Sequence, residues 1–133
     1  MPSPVVTDLK VLIRSMTPVL NEGTFVFCRG SSNMPIDSAC VIASIREPEG
    51  WSIVIREADA TRYAIAYSSR WAWITLTVNS ALESVGLTAA FAAALANEGI
   101  SCNVIAGLHH DHLFVPEEHA AQALHVLTRL AER

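Results

Sequence analysis

The sequence predicts an α+β fold, in which antiparallel strands form a sheet that carries helices on one face. Two patterns in the second half of the chain support this. In WAWITLTV, residues 71–78, aromatic and β-branched residues alternate with apolar ones, and a period of two is typical of a strand. Apolar residues then recur at helical spacing over residues 87–95, and Gly99 follows where a helix C-terminus favours a left-handed residue.

The rest of the second half of the chain predicts two more strands and a C-terminal helix. Residues 101–108 and 112–115 are strand-like and flank a polar turn, and residues 117–132 carry a helical stripe after Pro116. The order β-α-β-β-α lacks one strand of a ferredoxin-like sandwich. We expect residues 24–28 to supply that strand, so that the two halves of the chain interlock.

The faces of the strand at residues 71–78 follow from its alternation. Ile74, Leu76 and Val78 should face the helices. Trp71 and Trp73 should lie on the opposite face, together with Thr75 and Thr77. Because large exposed apolar patches mark contacts, we expect the other half or a second subunit to cover the two tryptophans.

The first half predicts shorter elements. A helix is expected over residues 8–16, capped by Thr7 or Asp8, followed by a turn at residues 17–23 and the strand at residues 24–28. Residues 39–46 and 51–56 predict a hairpin, and residues 57–66 predict one or two helical turns. We place the boundary between the halves after residue 66, which gives domains 1–66 and 67–133.

Composition excludes several classes of partner. The chain has 133 residues, of which 51% are hydrophobic, so it can bury a core. Nine basic against 13 acidic residues give a net charge of -4 without a basic cluster, which argues against nucleic acid. No apolar run is long enough to span a membrane and no signal-peptide pattern is present, so we expect a cytoplasmic protein.

Motifs for catalysis are missing from the sequence. The three cysteines are widely spaced in apolar surroundings, which favours buried thiols over a disulfide framework or a zinc site. There is no G-x-S-x-G elbow, phosphate loop or dinucleotide fingerprint. We therefore expect a protein that is not an enzyme and needs no cofactor.

The stretch between the strand at residues 71–78 and the helix at residues 87–95 is a candidate binding loop. Backbone N–H groups at a helix start are unpaired and attract a carboxylate, and Gly86 would allow a ligand or a neighbouring strand to approach closely. Ser80 and Glu83 have the spacing of a capping box, and Ser84 is an alternative cap. These side chains therefore either bind a ligand or merely start the helix.

The sequence HHDH, residues 109–112, is a second candidate site. On an extended chain His110 and His112 point to the same side and could bind a transition metal. No third ligand is identifiable from spacing, so a polar turn in which Asp111 caps backbone groups is the favoured interpretation. His110, Asp111 and His112 could still line a ligand pocket.

Several stretches of the chain resemble a known family. TLTVNSALESVGLTAAFAAALANEGISCNVIAGLHHDHLFVP is similar to the C-terminal part of small, free-standing ACT-domain proteins. NEGTFVFCRG and REPEGWSIVI are similar to their N-terminal half. The resemblance implies two interlocked ACT-like halves of the βαββαβ type. It also implies a regulatory role through an amino acid or another small effector bound between domains.

The resemblance also implies the site. In the family pattern the loop and an opposing strand frame the effector, and the corresponding residues here are Ser80, Leu82, Glu83, Val85, Gly86, Leu87, Asn103, Val104 and Ile105. One departure concerns the residues before HDH, which are Leu108 and His109 here and aromatic in the family, so ligand preference does not carry over. We expect a homodimer and leave a partner enzyme open. A purely structural module is the alternative function, with metal binding at HHDH the less favoured one.

Overall fold

The structure is a computed structural model that describes residues 8–30, 33, 36–78 and 85–133. The chain divides into two compact units. Met1–Asn21 and Ala72–Arg133 form the first, here called the split unit because it takes residues from both ends of the chain. Glu22–Trp71 form the second, here called the central unit.

The described residues of the split unit form three helices and four strands in a ferredoxin-like arrangement. Its helices are α1 (Leu9–Ser15), α3 (Leu87–Asn97) and α4 (Ala120–Ala131), and its strands are β1 (Pro18–Leu20), β5 (Trp71–Leu76), β6 (Asn103–Ala106) and β7 (Asp111–Pro116). The strand order is β1-β5-β7-β6. This order confirms the predicted α+β, ferredoxin-like architecture, with β1 in the place of the missing strand.

The identity of that strand corrects the sequence-based expectation. Residues 24–28 were expected to fill the edge beside β5, and they do so only at its first residue, where Phe25 is opposite Trp71. Along the rest of that edge β1 pairs with β5, antiparallel, with Pro18 opposite Leu76 and Leu20 opposite Ile74. The sequence of this segment favoured a turn because Pro18 cannot donate to a ladder. Pro18 is the first residue of its strand, a position where a missing N–H is tolerated.

The core of the split unit lies between its sheet and its helices. The alternation predicted for β5 is confirmed, since Ile74 and Leu76 are fully buried while Trp73 and Thr75 are only half-buried. Phe91 and Leu95 of α3 and Leu127 of α4 pack in the same cluster. So do Leu12 and Met16, which means that the N-terminal helix belongs to this core.

Helix boundaries in the split unit follow local signals. The Asp8 carboxylate accepts a hydrogen bond from the N–H of Val11, as a helix cap does. Gly99 has a φ of 70° just after α3, in the left-handed region where the glycine was expected. Pro116 precedes a short 3-10 turn, Glu117–His119, that leads into α4.

The described residues of the central unit form a three-stranded antiparallel sheet with one short α-helix. It contains β2 (Phe25–Gly30), β3 (Ala43–Glu47), β4 (Gly50–Arg56) and α2 (Glu57–Arg62), in the strand order β3-β4-β2. The predicted hairpin is confirmed, with Glu47 paired to Gly50 across its turn. A 3-10 turn, Ser38–Cys40, occupies the start of the segment that was predicted as strand.

A small apolar cluster on one face stabilises the central unit. Val26, Cys28, Ile53 and Ile55 are buried there beneath Ala60 of α2. The hydroxyl of Tyr67 and the guanidinium of Arg70 both donate to the Glu57 carboxylate at the start of α2. In the described part of the chain, no helix has both the length and the apolar character needed to cross a membrane.

Candidate functional site

The strand directions in the split unit determine which loops meet. Trp73 stacks on Phe114, with ring centroids 6.2 Å apart, and the hydroxyl of Thr75 lies 3.2 Å from Nδ1 of His112. Moving forward along β5 therefore moves backward along β7, so these strands are antiparallel. β6 is also antiparallel to β7, and hence β5 and β6 run the same way. The end of β5, the end of β6 and the start of β7 lie at one end of the sheet, here called the loop end.

The candidate loop and the HHDH turn both belong to the loop end. Val85 and Gly86 precede α3, which begins at Leu87, and residues 107–110 connect β6 to β7. Because α3 ends at Asn97, shortly before the start of β6, its own start is directed toward the loop end. Val85 is 83% exposed, whereas Leu87 is buried at 3%. Ser80, Leu82 and Glu83, and the alternative cap Ser84, lie outside the described residues. The structure thus places two of the three predicted segments at the same end of one unit.

Gly86 has a structural reason to be glycine. Its φ of 99° is in the left-handed region, and it occupies the cap position of α3. A Cβ added to it would lie 2.9 Å from Cδ2 of Leu9 in α1. Among the described residues, the side chain that approaches Gly86 closely therefore belongs to the N-terminal helix.

The third predicted segment, residues 103–105, belongs to β6 and is divided between the two faces of the sheet. Asn103 is opposite Phe114 and Ile105 is opposite His112, whereas Val104 is opposite the buried Leu113. Val104 accordingly packs against the core. Asn103 begins β6 and is therefore at the end of the sheet opposite the loop end. Ile105 and the next residue, Ala106, lie directly opposite His112 and Asp111 of HHDH.

A hydrogen-bonded group of polar side chains surrounds His112 on the face away from the helices. The indole N–H of Trp73 donates to Nδ1 of His112 at 3.1 Å. Asn21 donates through its amide to Oγ1 of Thr75 at 2.9 Å and to the carbonyl oxygen of Trp73 at 3.2 Å. Since an indole N–H can only donate, Nδ1 of His112 must be the acceptor and the imidazole proton resides on Nε2.

Electrostatics at the turn favour a neutral His112 and destabilise an ionised Asp111. Burial, and then the neighbouring His110, lower the pKa of His112, against the opposing effect of Asp111. Burial raises the pKa of Asp111, although His112 and His110 act in the other direction. Asp111 accepts no hydrogen bond from the described residues, and Nδ1 of His110 is buried without a partner among them. The turn therefore presents polar atoms whose bonding capacity is unused.

The described residues do not support a metal centre at this turn. They contain no group of three or more His, Cys, Asp or Glu side chains that could hold a metal ion. His112 has two imidazole nitrogens that could bind a metal, and one of them, Nδ1, already accepts a hydrogen bond from Trp73. Polar recognition is the chemistry that this arrangement can perform.

Three residues of the His112 group were not identified as site residues from the sequence. Trp73 and Thr75 were placed on the correct face by alternation, but nothing in the sequence linked them to His112. Asn21 had been assigned only to a turn. Its contact with Thr75 joins residues 54 positions apart, which local patterns do not reveal.

Comparison with known proteins gives the family. An ACT-domain family model matches residues 4–72, and a second ACT-domain model matches residues 68–129. No curated protein matches the chain.

Solved structures agree with this match. VC0802 from Vibrio cholerae, described as a protein of unknown function and a possible transport protein, is 46% identical over 92% of this chain and 95% of its own, with a TM-score of 0.82. Atu0741 from Agrobacterium tumefaciens is 17% identical over 87% of this chain and 89% of its own, with a TM-score of 0.70. The ligand-free regulatory subunit of aspartate kinase from Thermus thermophilus is 13% identical over 87% of this chain and 96% of its own, with a TM-score of 0.63. The chain belongs to the ACT-domain family and carries two ACT domains in tandem.

Proposed function

We propose that the protein is a non-catalytic regulatory protein that binds an amino acid at the loop end of the split unit. The observation that carries this proposal is that the N-terminus of α3 and the half-buried carboxylate of Asp111 both belong to the loop end of one unit. The tandem ACT match supports the regulatory part, as does the shared fold of an aspartate kinase regulatory subunit.

The carboxylate side of the site would bind the ligand's ammonium group. Alternation along β7 places Asp111 on the face of the buried Leu113, which is the face that carries the helices. Partial burial raises the pKa of Asp111 and so disfavours its ionised form, and a cation beside the carboxylate would offset that effect. Nδ1 of His110 is a second unpaired polar atom on this turn.

The helix side of the site would bind the ligand's carboxylate. α3 has 11 residues and begins after Gly86, which has no side chain to cap the first N–H groups. These groups lie at the positive end of the helix dipole, where an anion is stabilised. Ser80, Leu82, Glu83 and Val85 would complete the loop, as the family pattern implies.

The opposing wall would come from a second copy of the chain. Asn103 lies at the far end of its own sheet, so it reaches the loop end of a neighbouring unit better than that of its own. We therefore propose a homodimer in which Asn103 and Ile105 of one copy border the loop of the other. Ligand binding would alter the association of the two copies only if the associated and the separated forms differ in their affinity for the ligand. We also propose that the protein is cytoplasmic and that the enzyme it regulates is a separate partner protein.

The test is calorimetric titration of the protein with each of the twenty amino acids, followed by analogues of any that bind. The hydroxy-acid analogue lacks the ammonium group, and the amino-acid amide lacks the carboxylate. We expect Asp111→Asn to weaken binding of the amino acid but not binding of the hydroxy acid. In the native protein, both analogues should bind less tightly than the amino acid. Glu49→Gln, which removes an exposed charge in the hairpin turn of the central unit, is the matched control.

Two results would contradict the proposal. If none of the twenty amino acids binds, the amino-acid site is wrong and a purely structural role becomes the better account. If Asp111→Asn and Glu49→Gln bind the amino acid equally well, the ligand does not use the turn.

A further inference from the structure

The helix-side face of the central unit borders a cavity that is separate from the loop-end site. Cys28 and Ile53 are cross-strand partners at the edge of the buried cluster. Beyond them, toward Gly30 and Trp51, the same face borders a cavity of about 540 Å³. Cavities of roughly 300–1,000 Å³ are typical of small-molecule sites.

The sequence creates this cavity in two ways. Gly30 leaves its floor open, because a Cβ there would lie 3.1 Å from Cγ2 of Ile53 and 3.2 Å from Cβ of Trp51. The opposite wall comes from Ile36, Val41 and the three-residue 3-10 turn that contains Ser38. A three-residue turn covers far less of a sheet than a full helix does, and no helix among the described residues covers this part of the face.

The cavity wall combines apolar surface with a few hydrogen-bonding groups. Its apolar part comes from Trp51, Ile53, Ile36 and Val41. Ser38 and Ser44 also line it, and together with the indole of Trp51 they are its candidate hydrogen-bonding groups. The guanidinium of Arg46 lies 5.1 Å from the centre of the Trp51 ring, which restrains the orientation of that ring.

We propose that this cavity is a second ligand site, specific for a compact, uncharged molecule with an aromatic or branched hydrocarbon body and one hydroxyl or carbonyl group. The apolar wall would bind the body, and the serine hydroxyls with the indole N–H would bind the polar group. No charged side chain is among the described residues that line the cavity, so a zwitterion would lose hydration without gaining an ion pair. The site therefore differs in ligand class from the loop end and does not depend on the function proposed there.

Pocket-filling variants on β3 can test the site. Ser44 is opposite Ile53 and lies on the cavity face, whereas its neighbour Ile45 is opposite Ser52 and points the other way. Both residues are exposed on a strand that pairs only with β4 among the described strands, so phenylalanine is tolerated at either. Ser44→Phe would fill the cavity, and Ile45→Phe is its matched control. Val41→Phe fills the cavity from the opposite wall if Ser44→Phe does not fold.

The measurement is a titration of the whole chain with 2-naphthol, followed through the indole N–H signals in proton–nitrogen NMR spectra. Trp51→Phe identifies the signal of Trp51 among those of the three tryptophans. We expect a saturable shift of the Trp51 signal in the native protein and in Ile45→Phe, and binding weakened by about tenfold or more in Ser44→Phe, because steric exclusion removes the apolar contacts.

Two outcomes would overturn the proposal. One is a Trp51 signal that does not move at any soluble concentration of 2-naphthol. The other is equal affinity in folded Ser44→Phe, or folded Val41→Phe, and Ile45→Phe, since the probe would then bind elsewhere.

Discussion

The indole N–H of Trp73 donates a hydrogen bond to Nδ1 of His112 across 3.1 Å, which joins β5 to β7 on the sheet face away from the helices. The bond requires an unprotonated Nδ1. His112 is half-buried, and burial lowers its pKa, so the neutral imidazole is the form that the fold stabilises.

A pH dependence of stability follows from His112. A histidine whose folded pKa is below the unfolded value, about 6.5, contributes stability that is present above that pH and lost as the pH falls through the folded pKa. We expect the native protein to lose more stability between pH 7 and pH 5 than His112→Gln, which keeps an acceptor for Trp73 but does not titrate. Urea unfolding at several pH values measures this. His125→Gln, an exposed position, should follow the native curve, and identical pH curves for the native protein and His112→Gln would contradict the prediction.

Asp111 should show opposite effects on stability and on binding. Its pKa is raised by burial, so its ionised form destabilises the fold above the folded pKa, and this effect is absent below the unfolded value of about 3.9. We expect Asp111→Asn to be more stable than the native protein at pH 7 and equally stable near pH 3. Loss of a hydrogen bond to a charged group should weaken amino-acid binding by about ten- to a hundredfold. A variant that is less stable at pH 7 would show that the carboxylate has a structural partner.

The N-terminal helix should be essential to the split unit. Leu12 of α1 is fully buried in the core that contains Phe91 and Leu127. We expect Leu12→Ala to lower the free energy of unfolding by about 2–5 kcal/mol, as buried leucines do. Leu108→Ala, at a side chain that is 72% exposed, should change it by less than about 0.5 kcal/mol. Chemical denaturation gives both values, and equal values would place α1 outside the core.

A fragment of residues 67–133 tests the domain boundary predicted from the sequence. It lacks β1, which pairs with β5, and the buried side chains of Leu12 and Met16. We expect this fragment to be unfolded alone and to gain structure when a peptide of residues 8–21 is added. Circular dichroism and NMR dispersion report on both states. Cooperative thermal unfolding of the fragment by itself would show that the boundary after residue 66 separates two autonomous domains.

The contact between Leu9 and Gly86 should couple α1 to the start of α3. Gly86→Ala places a methyl group 2.9 Å from Leu9 and forces alanine to a φ of 99°. We expect the backbone strain to cost about 1–2 kcal/mol and the contact to add to it. In a Leu9→Ala background, the cost of Gly86→Ala should be smaller, because the methyl group no longer meets a leucine. A double-mutant cycle measures the difference, and exact additivity would mean that only the backbone conformation matters.

Local patterns were sufficient for most elements of the split unit. The alternation around Trp73 identified both the strand and its buried face, and the helical spacing up to Gly99 identified α3 and its end. Pairing across the sheet was not accessible in this way. β1 has only three residues and begins with a proline, so its local preference is for a turn, and it becomes a strand only because β5 offers an unpaired edge.

The features of the candidate site were likewise predicted from the sequence only where they depend on neighbouring residues. The sequence alone predicted the α+β class, the loop before α3, the HHDH turn and the resemblance to ACT domains. Each of these depends on residues that are close together in the chain. The tertiary structure decided that Leu9 contacts Gly86, that Trp73 and Thr75 surround His112, and that Val104 faces the core while Ile105 faces away from it. These contacts join residues distant along the chain, and the free energy of burying Leu12 and Ile74 in a common core is what brings such residues together.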